Sequence, residues 1–366
     1  YCNVSIIKGC DLILLGSTGS IGVNTLNIAR RFNLKVEVLV AGRNIGLLNQ
    51  QIKEFNPKRV VIDRAEDIHL VNHNNVSFGE DSILQAIQES ETSTVVNALV
   101  GFLGLKPTLK AIECGKKIAL ANKESLVVAG KFIDQTKLKP IDSEHFGLWY
   151  LLQDKKIDSM MVTASGGSFR DYPLEKLQNV SIKEALAHPN WSMGNKITID
   201  SATMTNKMFE LMEAAWLFDI RKLDAIIETK SLIHAFINFS DGSTTAHIAN
   251  ASMQLPIAYA ILGSCDVEIL KPVDLVEVAN LEFRKIETSR YPIWEIKDEI
   301  LNNLDLGVVL NAANEVAVAK FLNSQIGFLD ISKITLNAIN KFNSVKPTSI
   351  EEIFEIDKEV RNYCGA

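Results

Sequence analysis

Two carboxylates stand two residues apart in the segment 140–145, which reads Pro-Ile-Asp-Ser-Glu-His. We expect this segment to be extended, so that Asp142 and Glu144 point to the same side with Cα atoms about 6.6 Å apart. Charges at that distance repel by about 2.5 kcal/mol at an effective dielectric constant near 20. A hard divalent cation such as Mg²⁺ relieves this repulsion and leaves coordination positions open for substrate oxygens. Taken alone, the pattern also fits a solvated acidic loop.

A third carboxylate follows a group of phosphate-binding residue types in the segment 200–213, Asp-Ser-Ala-Thr-Met-Thr-Asn-Lys-Met-Phe-Glu-Leu-Met-Glu. The capping-type residues predict a helix start, with a phosphate cradle at its N-terminal end. The members of this cradle are Ser201, Asn206 and Lys207. Glu210 shares a helix face with the last two, which makes it a candidate metal ligand, with Glu213 one turn further in an outer position. Each residue alone fits an ordinary helix surface, but together they suit one ligand with a phosphate and metal-chelating oxygens.

A glycine turn, Gly-Ser-Thr-Gly-Ser-Ile-Gly, covers residues 16–22 between a predicted strand and a predicted helix. Glycines let backbone amides approach a pyrophosphate, and the helix N-terminus adds partial positive charge. The second predicted strand ends in Ala-Gly-Arg-Asn (41–44), where NAD-preferring sites place an acidic residue. The guanidinium of Arg43 suits the 2′-phosphate of NADPH, although it also fits an ordinary surface arginine.

Three further segments carry side chains that could bind a ligand or take part in catalysis. Lys123 follows a predicted strand, at the edge of the sheet where ligands bind in open α/β folds. Ser165 lies in a turn of small residues, Thr-Ala-Ser-Gly-Gly, suited to phosphate. His188 and Trp191 lie in the breaker-rich segment His-Pro-Asn-Trp-Ser-Met-Gly, a candidate lid that excludes water. Each has an alternative interpretation. Lys123 also fits a surface lysine, the turn at Ser165 a plain loop, and Trp191 a side chain packed between domains.

The elements that position these residues follow from the hydrophobic pattern. Strands alternate with helices in the first part of the chain, which predicts a Rossmann-like parallel sheet. The predicted strands there cover 11–15, 36–40, 59–62, 94–98 and 117–120, with helices at 81–90 and 106–115. Later strands at 159–164, 224–228 and 244–249 mix with a helix at 206–219, and 311–322 is helical. We therefore expect an α/β protein with an NADPH-binding domain (1–143), an α+β catalytic domain for metal and substrate (144–264), a linker (265–290) and a C-terminal helical domain (291–366).

Composition limits the class of protein. The chain has 366 residues, 47% of them hydrophobic, and a net charge of −6, which argues against nucleic acid as the main partner. Five dispersed cysteines without Cys-x-x-Cys spacing indicate reduced thiols in a cytoplasmic protein. No apolar run is long enough to predict a membrane span. Residues 1–10 resemble neither a signal peptide nor a transit sequence, and we assign them no function.

In this order and spacing the motifs resemble the 1-deoxy-D-xylulose-5-phosphate reductoisomerase family of the non-mevalonate isoprenoid pathway. The resemblance rests on residues 16–22, 121–127, 140–145, 163–167, 188–194, 200–213 and 311–321. It implies a homodimer that converts 1-deoxy-D-xylulose 5-phosphate, a ketose phosphate, to 2-C-methyl-D-erythritol 4-phosphate. The reaction joins a skeletal rearrangement to hydride reduction by NADPH and needs Mg²⁺ or Mn²⁺.

The resemblance also implies roles for individual residues. NADPH contacts would come from Thr18, Gly19, Ser20, Ile21, Gly42, Arg43, Asn44, Asn122, Glu124 and Gly194. Metal ligands would be Asp142, Glu144 and Glu210. Substrate contacts would come from Lys123, Ser143, Glu144, Ser165, His188, Ser201, Asn206, Lys207 and Glu210, of which Lys123, Glu144, His188 and Glu210 would be catalytic.

Departures from the family pattern are modest. Ser168 stands where a proline is common, and Met208 and Phe209 replace a smaller pair before Glu210. Two rival functions share parts of the pattern. A different NADPH-dependent dehydrogenase would need the glycine turn but not the acidic segments, and a non-catalytic NADPH sensor would need the first domain only.

Overall fold

The computed structural model describes residues 11–365, which contain twelve strands and fifteen α-helices. The strands are β1 (Leu12–Leu15), β2 (Val36–Ala41), β3 (Arg59–Ile62), β4 (Val76–Phe78), β5 (Thr94–Asn97), β6 (Lys117–Leu120), β7 (Leu138–Pro140), β8 (Ile157–Ala164), β9 (Leu223–Glu228), β10 (Ile233–Phe239), β11 (Thr244–Ile248) and β12 (Phe283–Arg284). The helices are α1 (Ser20–Arg31), α2 (Ile45–Phe55), α3 (Gly79–Glu89), α4 (Leu105–Glu113), α5 (Lys123–Ala129), α6 (Ser143–Leu151), α7 (Ile182–Ala185), α8 (Asn195–Thr203), α9 (Thr205–Phe218), α10 (Gln254–Leu262), α11 (Leu275–Val278), α12 (Lys297–Asn302), α13 (Gly307–Leu322), α14 (Phe328–Lys341) and α15 (Ile350–Gly365).

The chain forms two compact units. Within the described residues, the first unit comprises 11–122 with Asp134–Asp142 and Ser252–Lys271, and the second comprises Lys123–Ile133, Ser143–Ala251 and 272–365. The finer division into four parts at residues 143, 264 and 290 stays a prediction. None of the helices in the described part of the chain is long and apolar enough to cross a membrane.

The first unit is built on a seven-stranded parallel sheet in the order β4-β3-β2-β1-β5-β6-β7. Strand β1 is apolar at every position and fully buried, as expected for a strand covered on both faces. The strand order reverses beside β1, which is where doubly wound folds bind ligands. The five strands predicted for this region are confirmed.

Helix α10 completes the core of the first unit, although it lies about 110 residues downstream of β7 in the sequence. Its Ile257 and Ala258 are fully buried in the same apolar cluster as Leu26 and Ile28 of α1. The sequence pattern alone did not predict this return of the chain.

The second unit contains a mixed sheet in the order β11-β10-β8-β9-β12. Strands β8 and β9 are parallel, and the other pairs are antiparallel. The expected strands near 159–164, 224–228 and 244–249 are present, whereas β10 was missed. Helix α13 contains the predicted helical stretch at 311–322 and is buried over most of its length.

Two local predictions are wrong. The acidic segment is not extended throughout, because β7 ends at Pro140 and α6 begins at Ser143. Glu144 therefore lies in the first turn of a helix, where a negative charge is favoured by the helix dipole.

The second error concerns the helix predicted to start near Asp200. Helix α8 ends at Thr203, Met204 adopts a left-handed conformation with φ of 70°, and α9 begins at Thr205. Ser201 thus lies near the end of α8, whereas Asn206 and Lys207 lie in the first turn of α9. The predicted phosphate cradle spans two helices instead of one helix start.

Candidate active site

Four charged side chains and one amide, buried or half-buried, cluster in the second unit: Lys123 of α5, Glu144 of α6, and Asn206, Lys207 and Glu210 of α9. We call these five residues the charged cluster. The Nζ atom of Lys207 lies 2.8 Å from a carboxylate oxygen of Glu144 and also donates to Glu210. The Nζ atom of Lys123 lies 2.9 Å from Oδ1 of Asn206 and 3.2 Å from Oε1 of Glu210. The structure therefore brings together five residues that were predicted from three separate segments.

The electrostatics of the cluster keep both partners of the Lys207–Glu144 pair charged. Burial on its own would raise the pKa of Glu144, but the adjacent ammonium of Lys207, with His234 and the hydroxyl of Ser143, holds that pKa below its usual range. Burial would likewise lower the pKa of Lys207, but Glu144 and Glu210 raise it. The Oγ atom of Ser143 donates to Glu144 over 2.6 Å, so the carboxylate is ready to act as an anionic ligand.

Carboxylates converge near this cluster in a way that suits a hard cation. Asp142, Glu144 and Glu210 each offer a carboxylate oxygen, and these oxygens lie within 4.8 Å of one another. An all-oxygen donor set of this kind fits Mg²⁺ or Mn²⁺. Asp142 directly precedes α6, so the chain itself fixes it close to Glu144.

A second possible ligand group shares Asp142 and combines it with His145 and Glu213, again with ligand atoms within 4.8 Å of one another. His145 is fully buried, with Nδ1 3.2 Å from Glu213 and Nε2 2.8 Å from the backbone oxygen of Glu210. Sequence reasoning did not single out His145, although it directly follows Glu144. Its contacts tie α6 to α9 beside the charged cluster.

The turn at Ser165 forms a second group of predicted substrate contacts. The Oγ atom of Ser165 lies 2.8 Å from Nε2 of His188 and accepts from the backbone amide of Gly167 over 3.1 Å. Gly167 has φ of 68°, and a Cβ atom there would lie 2.6 Å from the Cα atom of Ala202. The turn thus packs directly against α8 next to Ser201, which requires glycine.

His188 anchors the predicted lid segment. Its Nδ1 atom accepts from the backbone amides of Asn190 (3.1 Å) and Trp191 (3.0 Å), so Nε2 carries the proton donated toward Ser165 in the neutral ring. Burial, with a smaller contribution from Arg170, lowers the pKa of His188 to about 4. The ring of Trp191 lies 6.4 Å from that of His234. The lid role of this segment stays a prediction.

The predicted NADPH residues of the first unit lie at the end of β1 and the end of β2. Gly16 has φ of 87°, and a Cβ atom there would lie 2.6 Å from the backbone oxygen of Ala98. Gly19 is the N-cap of α1, so Thr18, Ser20 and Ile21 lie around the positive end of that helix. This geometry is suited to a pyrophosphate.

After β2, Gly42, Arg43 and Asn44 are exposed. The side chain of Asn44 caps α2 by accepting from Leu47 over 3.2 Å. Arg43 is paired loosely with Asp63 at 3.6 Å, and its side chain is 72% exposed. Such an exposed pair adds little to stability, so Arg43 is available to a ligand.

The last three predicted NADPH contacts have different surroundings. Asn122 is fully buried in the first unit and donates to the backbone oxygens of Leu99 and Gly101. Glu124 and Gly194 belong to the second unit, where Glu124 is paired with Lys196 at 3.0 Å and Gly194 is the N-cap of α8. For Asn122 and Glu124 the described contacts are structural, and a cofactor contact stays a prediction.

Comparison with known proteins identifies the family. Three profiles match: 1-deoxy-D-xylulose 5-phosphate reductoisomerase over residues 12–130, the C-terminal domain of that enzyme over 138–218, and the DXP reductoisomerase C-terminal domain over 248–363. The chain belongs to the 1-deoxy-D-xylulose 5-phosphate reductoisomerase family. This confirms the resemblance drawn from the motifs.

Individual relatives agree over almost their full length. The reductoisomerase of Nautilia profundicola is 58% identical over 96% of this chain and 99% of its own, and that of Wolinella succinogenes is 52% identical over 96% and 99%. A solved DOX-P reductoisomerase in complex with NADPH, fosmidomycin and magnesium superposes with a TM-score of 0.91 at 32% identity, covering 97% of each chain. The Zymomonas mobilis enzyme in complex with NADPH gives a TM-score of 0.86 at 33% identity over 98% of each chain.

Proposed function

We infer that this chain is an NADPH- and divalent-metal-dependent reductoisomerase that converts 1-deoxy-D-xylulose 5-phosphate to 2-C-methyl-D-erythritol 4-phosphate. Family membership over nearly the whole chain supports this function. The single observation that carries it at the site is the convergence of three carboxylate oxygens within 4.8 Å beside two buried lysines. Neither a metal-free dehydrogenase nor an NADPH sensor would need that arrangement.

The metal is assigned to Asp142, Glu144 and Glu210. When bound there, Mg²⁺ or Mn²⁺ supplies Lewis-acid polarisation of substrate oxygens. Ionised carboxylates are required for this role, and Lys207 favours the ionised form of Glu144 through its charge. Lys123 and Lys207 also fix the orientation of Glu210, because each bonds a different oxygen of that carboxylate.

Substrate phosphate is assigned to the cradle formed by Ser165, Ser201, Asn206 and Lys207. These residues come from the turn after β8 and from the facing ends of α8 and α9. Phosphate binding remote from the reacting carbons supplies binding energy that orients the rest of the substrate. His188 holds Ser165 in place through its Nε2 atom, and Ser143 does the same for Glu144.

NADPH supplies the hydride and is assigned to the glycine turn with Thr18, Gly19, Ser20 and Ile21, and to the end of β2 with Gly42, Arg43 and Asn44. Asn122, Glu124 and Gly194 complete the proposed contacts. The guanidinium of Arg43 would meet the 2′-phosphate as a charge-assisted pair. We also propose a homodimeric, cytoplasmic enzyme, in line with the family resemblance and the dispersed cysteines.

The test is NADPH oxidation by the purified chain with 1-deoxy-D-xylulose 5-phosphate and Mg²⁺. Oxidation should need both the ketose phosphate and the metal, and chelation should abolish it reversibly. The unphosphorylated sugar is the matched control, because it has the reacting carbons but lacks the remote phosphate. Turnover that persists after chelation, or that is equal with the unphosphorylated sugar, would contradict the proposed function.

A further inference from the structure

Lys196 is a largely buried cation to which no role has been assigned so far. It lies two residues after Gly194, at the start of α8, and its side chain is 17% exposed. Its Nζ atom is 3.0 Å from Glu124 of α5 and 2.8 Å from Asp200 of α8. The same atom lies 5.3 Å from the ring centroid of Phe209 in α9. One ammonium therefore contacts three helices of the second unit.

Charge and burial make this contact strong. Burial would lower the pKa of Lys196, but Asp200, Glu124 and Glu315 raise it above its usual value. The carboxylate of Glu124 is held in the ionised form mainly by Lys196, against the effect of burial. Asp200 is additionally bonded by Asn314 of α13 over 2.7 Å. Removing the ammonium would leave two buried carboxylates facing each other without their shared cation, which is costly.

One partner of Lys196, Glu124, is itself a proposed NADPH contact, and both partners directly adjoin proposed substrate contacts in the chain. Glu124 follows Lys123, whose ammonium bonds Asn206 and Glu210. Asp200 precedes Ser201, a proposed phosphate contact. The Lys196 ammonium thus sets the start of α5 against α8, and Lys123 sets the same start of α5 against α9.

We propose that Lys196 is a positioning residue of the reductoisomerase, which aligns Lys123 with the carboxylate of Glu210 and holds Ser201 in the phosphate cradle. The inference rests on the proposed function, since it assigns Lys196 to that same site. Lys196 itself touches neither the proposed metal ligands nor the proposed phosphate contacts, so its effect passes through Glu124 and Asp200. The sequence contained one signal for it, the Lys–Asp spacing of four residues on α8.

The experiment compares K196M with K196R in the full chain. K196M keeps an unbranched side chain one atom shorter and removes the charge, and we expect kcat to fall about 100-fold, as for a small displacement of reacting groups. The KM for the ketose phosphate should rise as well, because Ser201 is affected. K196R keeps a cation at this position. Its kcat should therefore be higher than that of K196M, and its KM for the ketose phosphate should be lower.

A second variant separates positioning from general loss of stability. Lys116 of the first unit is also buried, and its Nζ atom donates to the backbone oxygens of Ser90 and Thr92, both at 2.7 Å. K116M should lower the melting temperature but leave kcat and KM of the folded fraction unchanged. The double variant K196M/D200N removes the charge of one of the two carboxylates that lose the Lys196 ammonium, and it should be more active than K196M.

The outcomes are distinct. Wild-type kcat and KM in K196M would overturn the positioning role. So would a defect of K196M that is equally large in K196R and in the double variant K196M/D200N. Absence of metal-dependent turnover in the wild-type chain would instead overturn the proposed function itself.

Discussion

The glycine turn of the first unit and the charged cluster of the second unit position functional groups by opposite means. In the turn, the geometry is set by the backbone, since Cβ atoms at Gly16 and Gly22 would lie 2.6 Å and 2.2 Å from backbone oxygens. In the cluster, the geometry is set by charged side chains that come from three helices and neutralise one another. The first arrangement tolerates almost no added atoms, whereas the second tolerates almost no change of charge.

The largest effects should come from charge changes in the cluster. Glu210→Gln keeps the size of the side chain but removes a proposed metal ligand and the charged partner of two lysines, so we expect turnover to fall by several orders of magnitude. Asp142→Asn should behave alike, and the double variant should be little worse than either single one, because residues that act as a unit are not additive. Steady-state kinetics of NADPH oxidation measure this. Additive losses would show that the two carboxylates act at separate places.

In the glycine turn, added atoms should be damaging where changes of charge are damaging in the charged cluster. Gly22→Ala places a Cβ atom against the backbone oxygens of Gly16 and Ser17, and we expect a loss of about 1–3 kcal/mol in the free energy of unfolding. Gly46 of α2 is the control, because nothing lies within 4 Å of an added Cβ. Gly46→Ala should stabilise by about 0.5–1 kcal/mol. Urea unfolding of both variants checks this, and equal effects of the two substitutions would refute the steric account.

The glycine turn and the charged cluster also differ in how well the sequence predicted them. The strand, glycine turn and helix at 12–31 are consecutive, so local pattern was sufficient to predict them. For the charged cluster, local pattern predicted that Asn206, Lys207 and Glu210 share a helix face. The pairing of Lys123 with Glu210 was not predicted, since these residues are 87 positions apart in the chain. The left-handed Met204 that separates α8 from α9 was missed, because the residues around it are compatible with one continuous helix. Lys196 and His145 were missed because their roles depend on partners from distant helices.

The next prediction concerns the charge of Arg43, which we assign to the 2′-phosphate of NADPH. Arg43→Glu should raise the KM for NADPH at least tenfold, a change of about 1.4 kcal/mol, and should weaken the preference over NADH. Stability should change little, because the side chain is largely exposed and its pair with Asp63 is long. The measurement is the ratio of kcat/KM for the two cofactors. An unchanged ratio would remove Arg43 from the 2′-phosphate site.

A smaller effect concerns acid stability of the second unit. Burial, and then the nearby His234, lowers the pKa of His247 to about 4, below the usual value near 6.5. A group whose pKa is depressed on folding contributes stability above its unfolded pKa, and this contribution is lost as the pH falls from about 6.5 to about 4. His247→Asn should therefore flatten the fall in unfolding free energy over this range. Urea titrations of the metal-free protein at several pH values would detect it, and an unchanged slope would contradict the assignment.

The most direct test of the account asks which carboxylates hold the metal. Glu210 and Glu213 lie one helical turn apart in α9, and both are 1% exposed. Each belongs to a different possible ligand group with Asp142. We assign Glu210 to the metal. Glu213 supports His145, which in turn contacts the backbone oxygen of Glu210. Loss of a residue that supports a ligand typically costs about 10–100-fold in metal affinity, and we expect the loss of Glu213 to cost no more than that.

Calorimetric titration of Mn²⁺ into Glu210→Gln and Glu213→Gln, beside the wild-type chain, distinguishes the two. We expect Glu210→Gln to abolish measurable binding, whereas Glu213→Gln should bind Mn²⁺ with reduced affinity and unchanged stoichiometry. Wild-type affinity in the Glu210 variant, or equal losses in both variants, would contradict this assignment.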